Sequence, residues 1–162
     1  MTPFYSGTDC AICVLSQPEQ RLVRRAVAVL EKRLFQRGQM MSSPDEVKRY
    51  LQLRLAQEKH EVFAVMFLSS QHRLITFETL VEGTINSATV PPRRVLQRAL
   101  EVNSAAVILA HHHPSGNVQP SSADAVLTRT LKELLAQVDV RVLDHFVVGC
   151  GEAYSFAEAG KL

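Results

Sequence analysis

A chain of 162 residues is long enough for one domain with a sizeable core, and its 46% hydrophobic and 21% charged residues are ordinary for a soluble globular protein. The net charge of +2 is too small to argue for nucleic acid by itself. No apolar run approaches the length of a membrane span, and the first twenty residues lack the basic start and long apolar core of a signal peptide; a cytoplasmic protein with no membrane segment is expected. The charge is uneven, with ten Lys and Arg against six Asp and Glu in residues 1–60 (+4) and eight against ten in residues 61–162 (−2).

In chain order, residues 1–16 show no clear period. Cys10 and Cys13 form a CxxC there, which without a second pair reads as two ordinary thiols; with Cys150 the odd count argues against a disulfide framework. From Pro18 to Arg37 the pattern is helical. Leu22, Val23, Ala26, Val27, Leu30 and Leu34 recur at three- and four-residue steps, with Arg21, Arg24, Arg25, Lys32 and Arg33 on other faces. A basic helix of this kind invites a nucleic-acid partner. A solvated face on a packing helix is the favoured account, since no aromatic residues alternate with the charges to stack on bases. Gly38 stops the helix. Ser43, Pro44 and Asp45 start the next, which should run to about Lys59 with Val47, Tyr50, Leu51 and Leu55 on one face. The expected organisation is a tail and basic helix over residues 1–42, then one domain over 43–162.

At Glu61 the period changes. EVFAVMFL, rich in β-branched and aromatic residues, predicts a buried strand; SSQHR is a turn and LITFETLVEG the hairpin partner, ended by Gly83. Residues 84–90 are irregular. Pro91 and Pro92 open a helix to about Asn103 with Val95, Leu96, Ala99, Leu100 and Val102 apolar. The unbroken apolar run Ala105–Ala110 is a central strand. A helix from Ser122 to about Gln137 should turn Val126, Leu127, Leu131, Leu134 and Leu135 inward, and VRVLDHFVVG and AYSF should be two more strands, followed by a short helical tail from Ala157. Interleaved helices and strands, with a central strand that has no polar face, predict an α/β fold: a mixed sheet covered by helices on both sides.

The chemistry concentrates in residues 105–124, AAVILAHHHPSGNVQPSSAD. On a strand, His111 and His113 point one way and His112 the other. Pro114, Ser115 and Gly116 turn the chain. Ser121 is placed as a helix N-cap with Asp124 three residues on, a capping box with Asp in place of Glu. His111, His113 and Asp124 are then three ligands of a divalent ion with a fourth position open, the pattern of a catalytic zinc rather than a closed structural one. The bland alternative is a loop of solvated histidines.

His111-x-His113, seven residues, Ser121, two residues, Asp124 resembles the JAMM motif of MPN-domain metalloproteins. AHHHPSG followed by PSSAD is similar to the RadC branch of that family, with one departure: His112 stands where that branch usually has Asn. Because His112 should face away from the metal, the departure is expected to matter little. The resemblance covers the chain from about Ser43 onward. It implies the MPN fold, a three-layer α/β/α mixed sheet (cytidine-deaminase-like), here with an N-terminal helical extension. The helix-hairpin-helix segment of longer RadC-like proteins is not evident.

Zinc with three protein ligands lowers the pKa of its water to about 7, and a hydrolase then needs a general base. Periodicity leaves Glu61, Glu78 and Glu82 open. The resemblance implies Glu61, because in JAMM proteins the catalytic Glu opens an apolar strand upstream of the HxH. It also implies that Ser121 hydrogen-bonds the oxyanion, in addition to its capping role. His145 beside Asp144 could support a second shell but is read as structural; His60 and His72 receive no role. The function expected is a zinc-dependent hydrolase of amide or isopeptide bonds, one zinc per chain, acting on a peptide or protein. The alternative is a DNA-repair-associated protein that binds nucleic acid through its basic N-terminal half, with a structural or vestigial metal site. A metal-dependent nuclease ranks last, for want of a second acidic cluster.

Overall fold

The computed structural model describes residues 15–37, 40–41, 43–83 and 90–162, with 34–37 described through their backbone. The CxxC, Leu34, Gly38 and most of the irregular 84–90 stretch therefore lie outside the described residues. Within them the order is α1 (Gln17–Arg37), α2 (Pro44–Leu55), β1 (Glu61–Leu68), β2 (Leu74–Gly83), α3 (Pro92–Glu101), β3 (Ala106–His112), α4 (Ser122–Ala136), β4 (Arg141–Val148) and β5 (Ala153–Ser155). The five strands form one mixed sheet in the order β2-β1-β3-β4-β5. β3 and β4 run parallel and the other pairs antiparallel. A parallel neighbour requires a crossover, and α4 is the helix that makes it.

Strand alternation builds two cores. Val62, Ala64, Met66 and Leu68 of β1 pack with Val47, Leu51 and Leu55 of α2. Phe63, Val65 and Phe67 point to the opposite face, against Val95 and Ala99 of α3 and Leu131 and Leu135 of α4. A strand with helices over both faces has no side to give to water, which is why β1 and β3 read as continuous apolar runs. The three-layer α/β/α architecture is the one expected.

Some details differ. α2 ends at Leu55, and the central strand continues through His112 rather than stopping at Ala110. Leu100 and Val126 are exposed, Leu100 beside the buried stripe of its helix and Val126 on the face opposite Asp124, Thr128, Leu131 and Leu135. Residues 156–160 are turns, not a helix. Cys150 is disulfide-bonded, a single bond rather than a framework.

The largest departure is α1. None of its described side chains is buried; Leu22 is 67% and Val29 55% exposed. α2 turns Val47, Leu51 and Leu55 to the sheet, so Leu53 is the main apolar side chain left on its α1 side. Across the contact, Arg24 donates to Gln57 Oε1 at 2.9 Å, Gln57 donates to the Gln20 carbonyl at 2.9 Å, and Glu31 pairs with Arg54 at 3.0 Å. Helical period alone could not tell which side of α1 would meet a neighbour.

Candidate metal centre

β3 delivers the histidines at its C-terminal end, where it pairs with the start of β1: His111 opposite Phe63, His112 opposite Val62. His112 faces away from the site as expected. It is buried, with Nδ1 3.3 Å from the His60 carbonyl, and burial lowers its pKa. The rings of His111 and His113 lie on the other side, centroids 4.5 Å apart and nearly perpendicular. Glu61, the first residue of β1, completes the group: the ligand atoms of Glu61, His111 and His113 all lie within 4.8 Å of one another.

The second nitrogen of each ring is engaged. His113 Nδ1 is 2.7 Å from the Asn117 carbonyl, and His111 Nδ1 is 2.8 Å from Asp124 Oδ1. A carbonyl and a carboxylate only accept, so each Nδ1 carries a proton and Nε2 is the ring nitrogen left to face a cation. Imidazoles with carboxylates make a donor set suited to a divalent ion.

Asp124 sits where the capping box predicted. Its Oδ2 accepts from the Ser121 N–H and Oγ, each at 2.7 Å, and its own N–H donates to Ser121 Oγ at 3.1 Å. Burial pushes the carboxyl pKa up, but the bonds from His111 and Ser121 outweigh it and hold the group well below the ordinary carboxylate range. Asp124 is thus an anion bonded to His111 and Ser121, while Glu61 is the carboxylate grouped with both imidazoles. All five expected site residues line one cleft of about 430 Å³, together with Val62, Phe63, Val90, Ala123 and Leu127. Of the three open glutamates only Glu61 lines it. Glu78 is instead held by both forks of Arg98, at 2.7 and 2.8 Å.

Behind the site lies a residue that the sequence left as structural. His145 on β4 is fully buried, stacked on Phe156 and edge-on to Phe63. The His145–Asp144 side-chain pair that the sequence offered as the lesser alternative does not form. Asp144 accepts from Ser155 Oγ and from the N–H groups of His145 and Ala157. His145 Nδ1 meets Thr128 Oγ1 at 2.6 Å, and Thr128 donates to the Asp124 carbonyl at 2.6 Å. The single hydroxyl proton goes to the carbonyl, so His145 donates from Nδ1 and its buried Nε2 has no partner among the described residues. His145 and Thr128 thereby tie β4 to the helical turn that carries Asp124. Thr128 gave no sign of this in the sequence.

Burial, with the nearby His111 as a smaller cause, holds the His145 pKa at about 3, against an ordinary 6.5. Between those values the unfolded chain binds a proton that the folded one refuses, so stability should fall as pH drops from 6.5 toward 3. Urea melts of the wild type and His145→Gln over this range should show a shallower pH slope in the variant. Equal slopes would remove His145 as the cause.

The pattern of the RadC-like JAB domain matches residues 41–161 of this chain. The UPF0758 protein of Methylibium petroleiphilum is 61% identical over 123 residues, covering 76% of this chain and 55% of its own length. That of Azotobacter vinelandii is 56% identical over 128 residues, 79% of this chain and 57% of the relative. That of Vibrio cholerae is 50% identical over 144 residues, 89% of this chain and 90% of the relative. The chain spans little more than half the length of the first two.

Proposed function

Since the chain belongs to the RadC-like JAB domain family, we propose that it is a zinc-dependent hydrolase of the JAMM type, cleaving amide or isopeptide bonds in a peptide or protein. The observation that carries this reading is the convergence of Glu61, His111 and His113 within 4.8 Å, in the cleft that Asp124 and Ser121 also line. Residues 43–162 form the metal-binding domain in this reading, residues 1–42 a tail and basic helix, and the setting is the cytoplasm.

His111, His113 and Asp124 would hold the ion, one per chain; Asp124 would reach it only once its Oδ1 leaves the His111 Nδ1–H, because that bond sets the carboxylate on the side of the ring away from Nε2. When bound, zinc polarises the scissile carbonyl and lowers the pKa of water. Glu61 is the general base, taking the proton of the attacking water and passing it to the leaving amine. Ser121 has two tasks. Its N–H and hydroxyl both donate to Asp124 Oδ2 in the resting arrangement. The hydroxyl has one proton, so donating it to the substrate oxyanion means releasing Oδ2, which the backbone N–H continues to hold.

The test is metal analysis of the purified protein: about one zinc per chain, as a three-ligand site requires, lost in His113→Ala, with peptide hydrolysis abolished by a chelator. Full zinc retention in that variant would end this reading. A second reading, nucleic-acid binding in DNA repair, is favoured by the exposed Arg21, Arg25, Lys32 and Arg33 of α1. It calls for a salt-dependent DNA affinity that survives metal removal.

A further inference from the structure

The cleft has two chemically different ends. Glu61, His111, His113, Ser121 and Asp124 gather at one. The remaining wall is apolar: Phe63 and Val90 behind it, Ala123 and Leu127 along α4. Ala123 and Leu127 are four residues apart, so they share one face of the helix whose first turn also holds Asp124. Leu127 and Val90 belong to the same apolar core as Phe63, yet both still border the cleft.

Charge narrows the choice of occupant. The only charged side chains among the described lining residues, apart from the two histidines, are the carboxylates of Glu61 and Asp124. No lysine or arginine lines the cleft among the described residues, and the sequence of residues 84–89, TINSAT, carries no charge. With a dication bound, the two carboxylates are offset, and away from the metal no lysine or arginine among the described lining residues would receive an acidic side chain. A neutral aliphatic side chain would cover Ala123, Leu127 and the small exposed edge of Val90 (8%) and remove apolar surface from water. A volume of about 430 Å³ lies within the range of small-ligand pockets, roughly 300–1,000 Å³, and admits a short extended segment rather than a folded surface.

Resting on the hydrolase reading above, we propose that the cleft selects a neutral acyl substrate whose residue flanking the scissile bond bears an aliphatic side chain, received by Val90, Ala123 and Leu127. The substrate class is thereby an apolar stretch of peptide rather than an acidic one.

The test separates the metal from the wall. Zinc-loaded protein is titrated calorimetrically with three hydroxamates that share one chelating group: acetohydroxamate, 4-methylpentanohydroxamate and succinic monohydroxamate. The aliphatic compound should bind tighter than acetohydroxamate by about tenfold or more, and the acidic one no tighter than acetohydroxamate. Ala123→Lys, on the exposed side of α4, should erase the aliphatic gain and favour the acidic compound, and the milder Leu127→Ala, at a half-buried position, should reduce the gain without favouring the acid. In metal-free protein, the methyl resonances of Val90 and Leu127 should shift on adding 4-methylpentanamide. If acetohydroxamate binds with its dependence on His113 intact, while all three compounds bind equally, the apolar subsite is wrong and the metal centre stands. If acetohydroxamate does not bind zinc-loaded protein at all, the hydrolase reading fails and this inference falls with it.

Discussion

Glu61→Gln is expected to abolish hydrolysis while leaving the metal in place, and Asp124→Asn to lose the metal. The two carboxylates border the same cleft but differ in attachment. Asp124 is fixed by His111 Nδ1 and by both donors of Ser121. Glu61 begins a strand and is only partly buried. A group that must accept and then release a proton needs freedom to move; a ligand needs to be held. Removing a general base typically costs 10²–10⁴-fold in rate, so Glu61→Gln should fall by about that factor with zinc content unchanged. Asp124→Asn removes a charge from the site and leaves an amide NH₂ or a neutral oxygen facing two donors of Ser121, so both metal affinity and stability should drop. The opposite split, with zinc lost in Glu61→Gln and kept in Asp124→Asn, would make Glu61 the third ligand and Asp124 the carboxylate that orients His111. The measurements are zinc stoichiometry and turnover on the same preparations.

Gly149→Ala is expected to damage the site from outside it. A methyl there would lie 2.5 Å from the Gly116 carbonyl oxygen and 2.7 Å from Val118 Cγ1. The first of these is backbone, which cannot rotate aside. Gly116 lies in the turn that follows the histidines, at φ +78°. The same turn supplies Asn117, whose carbonyl orients His113, and it is anchored by the His113 N–H to the Val148 carbonyl at 2.8 Å. Relieving the clash means moving that turn. The expected cost is about 1–3 kcal/mol of stability, the usual range for overpacking, together with weaker zinc binding. Gly151→Ala is the control. Its φ of +76° makes the substitution strained, but no atom lies within 4 Å of the added carbon. It should cost about 1 kcal/mol in backbone strain and leave zinc affinity alone. Wild-type zinc affinity in Gly149→Ala would show that the turn does not position His113.

Whatever depends on neighbours along the chain was legible in the order of the residues. Strand alternation put His111 and His113 on one side and His112 on the other. A three-residue step joined Ser121 to Asp124 as a reciprocal cap. Unbroken apolar runs marked strands covered on both faces. Contacts across the fold were decided only by tertiary structure, because side-chain period carries no information about which distant segment lies alongside. The antiparallel register that sets Phe63 opposite His111 brings Glu61, and not Glu78 or Glu82, to the imidazoles. Arg98 removes Glu78 by pairing with it, a bond that local pattern does not show. α1 keeps Leu22 and Val29 in water because α2 had already given Val47, Leu51 and Leu55 to the sheet. Thr128 and Gly149 matter through what they touch across the fold, the first through a hydroxyl bridge to His145 and the second through the room a missing Cβ leaves for Gly116.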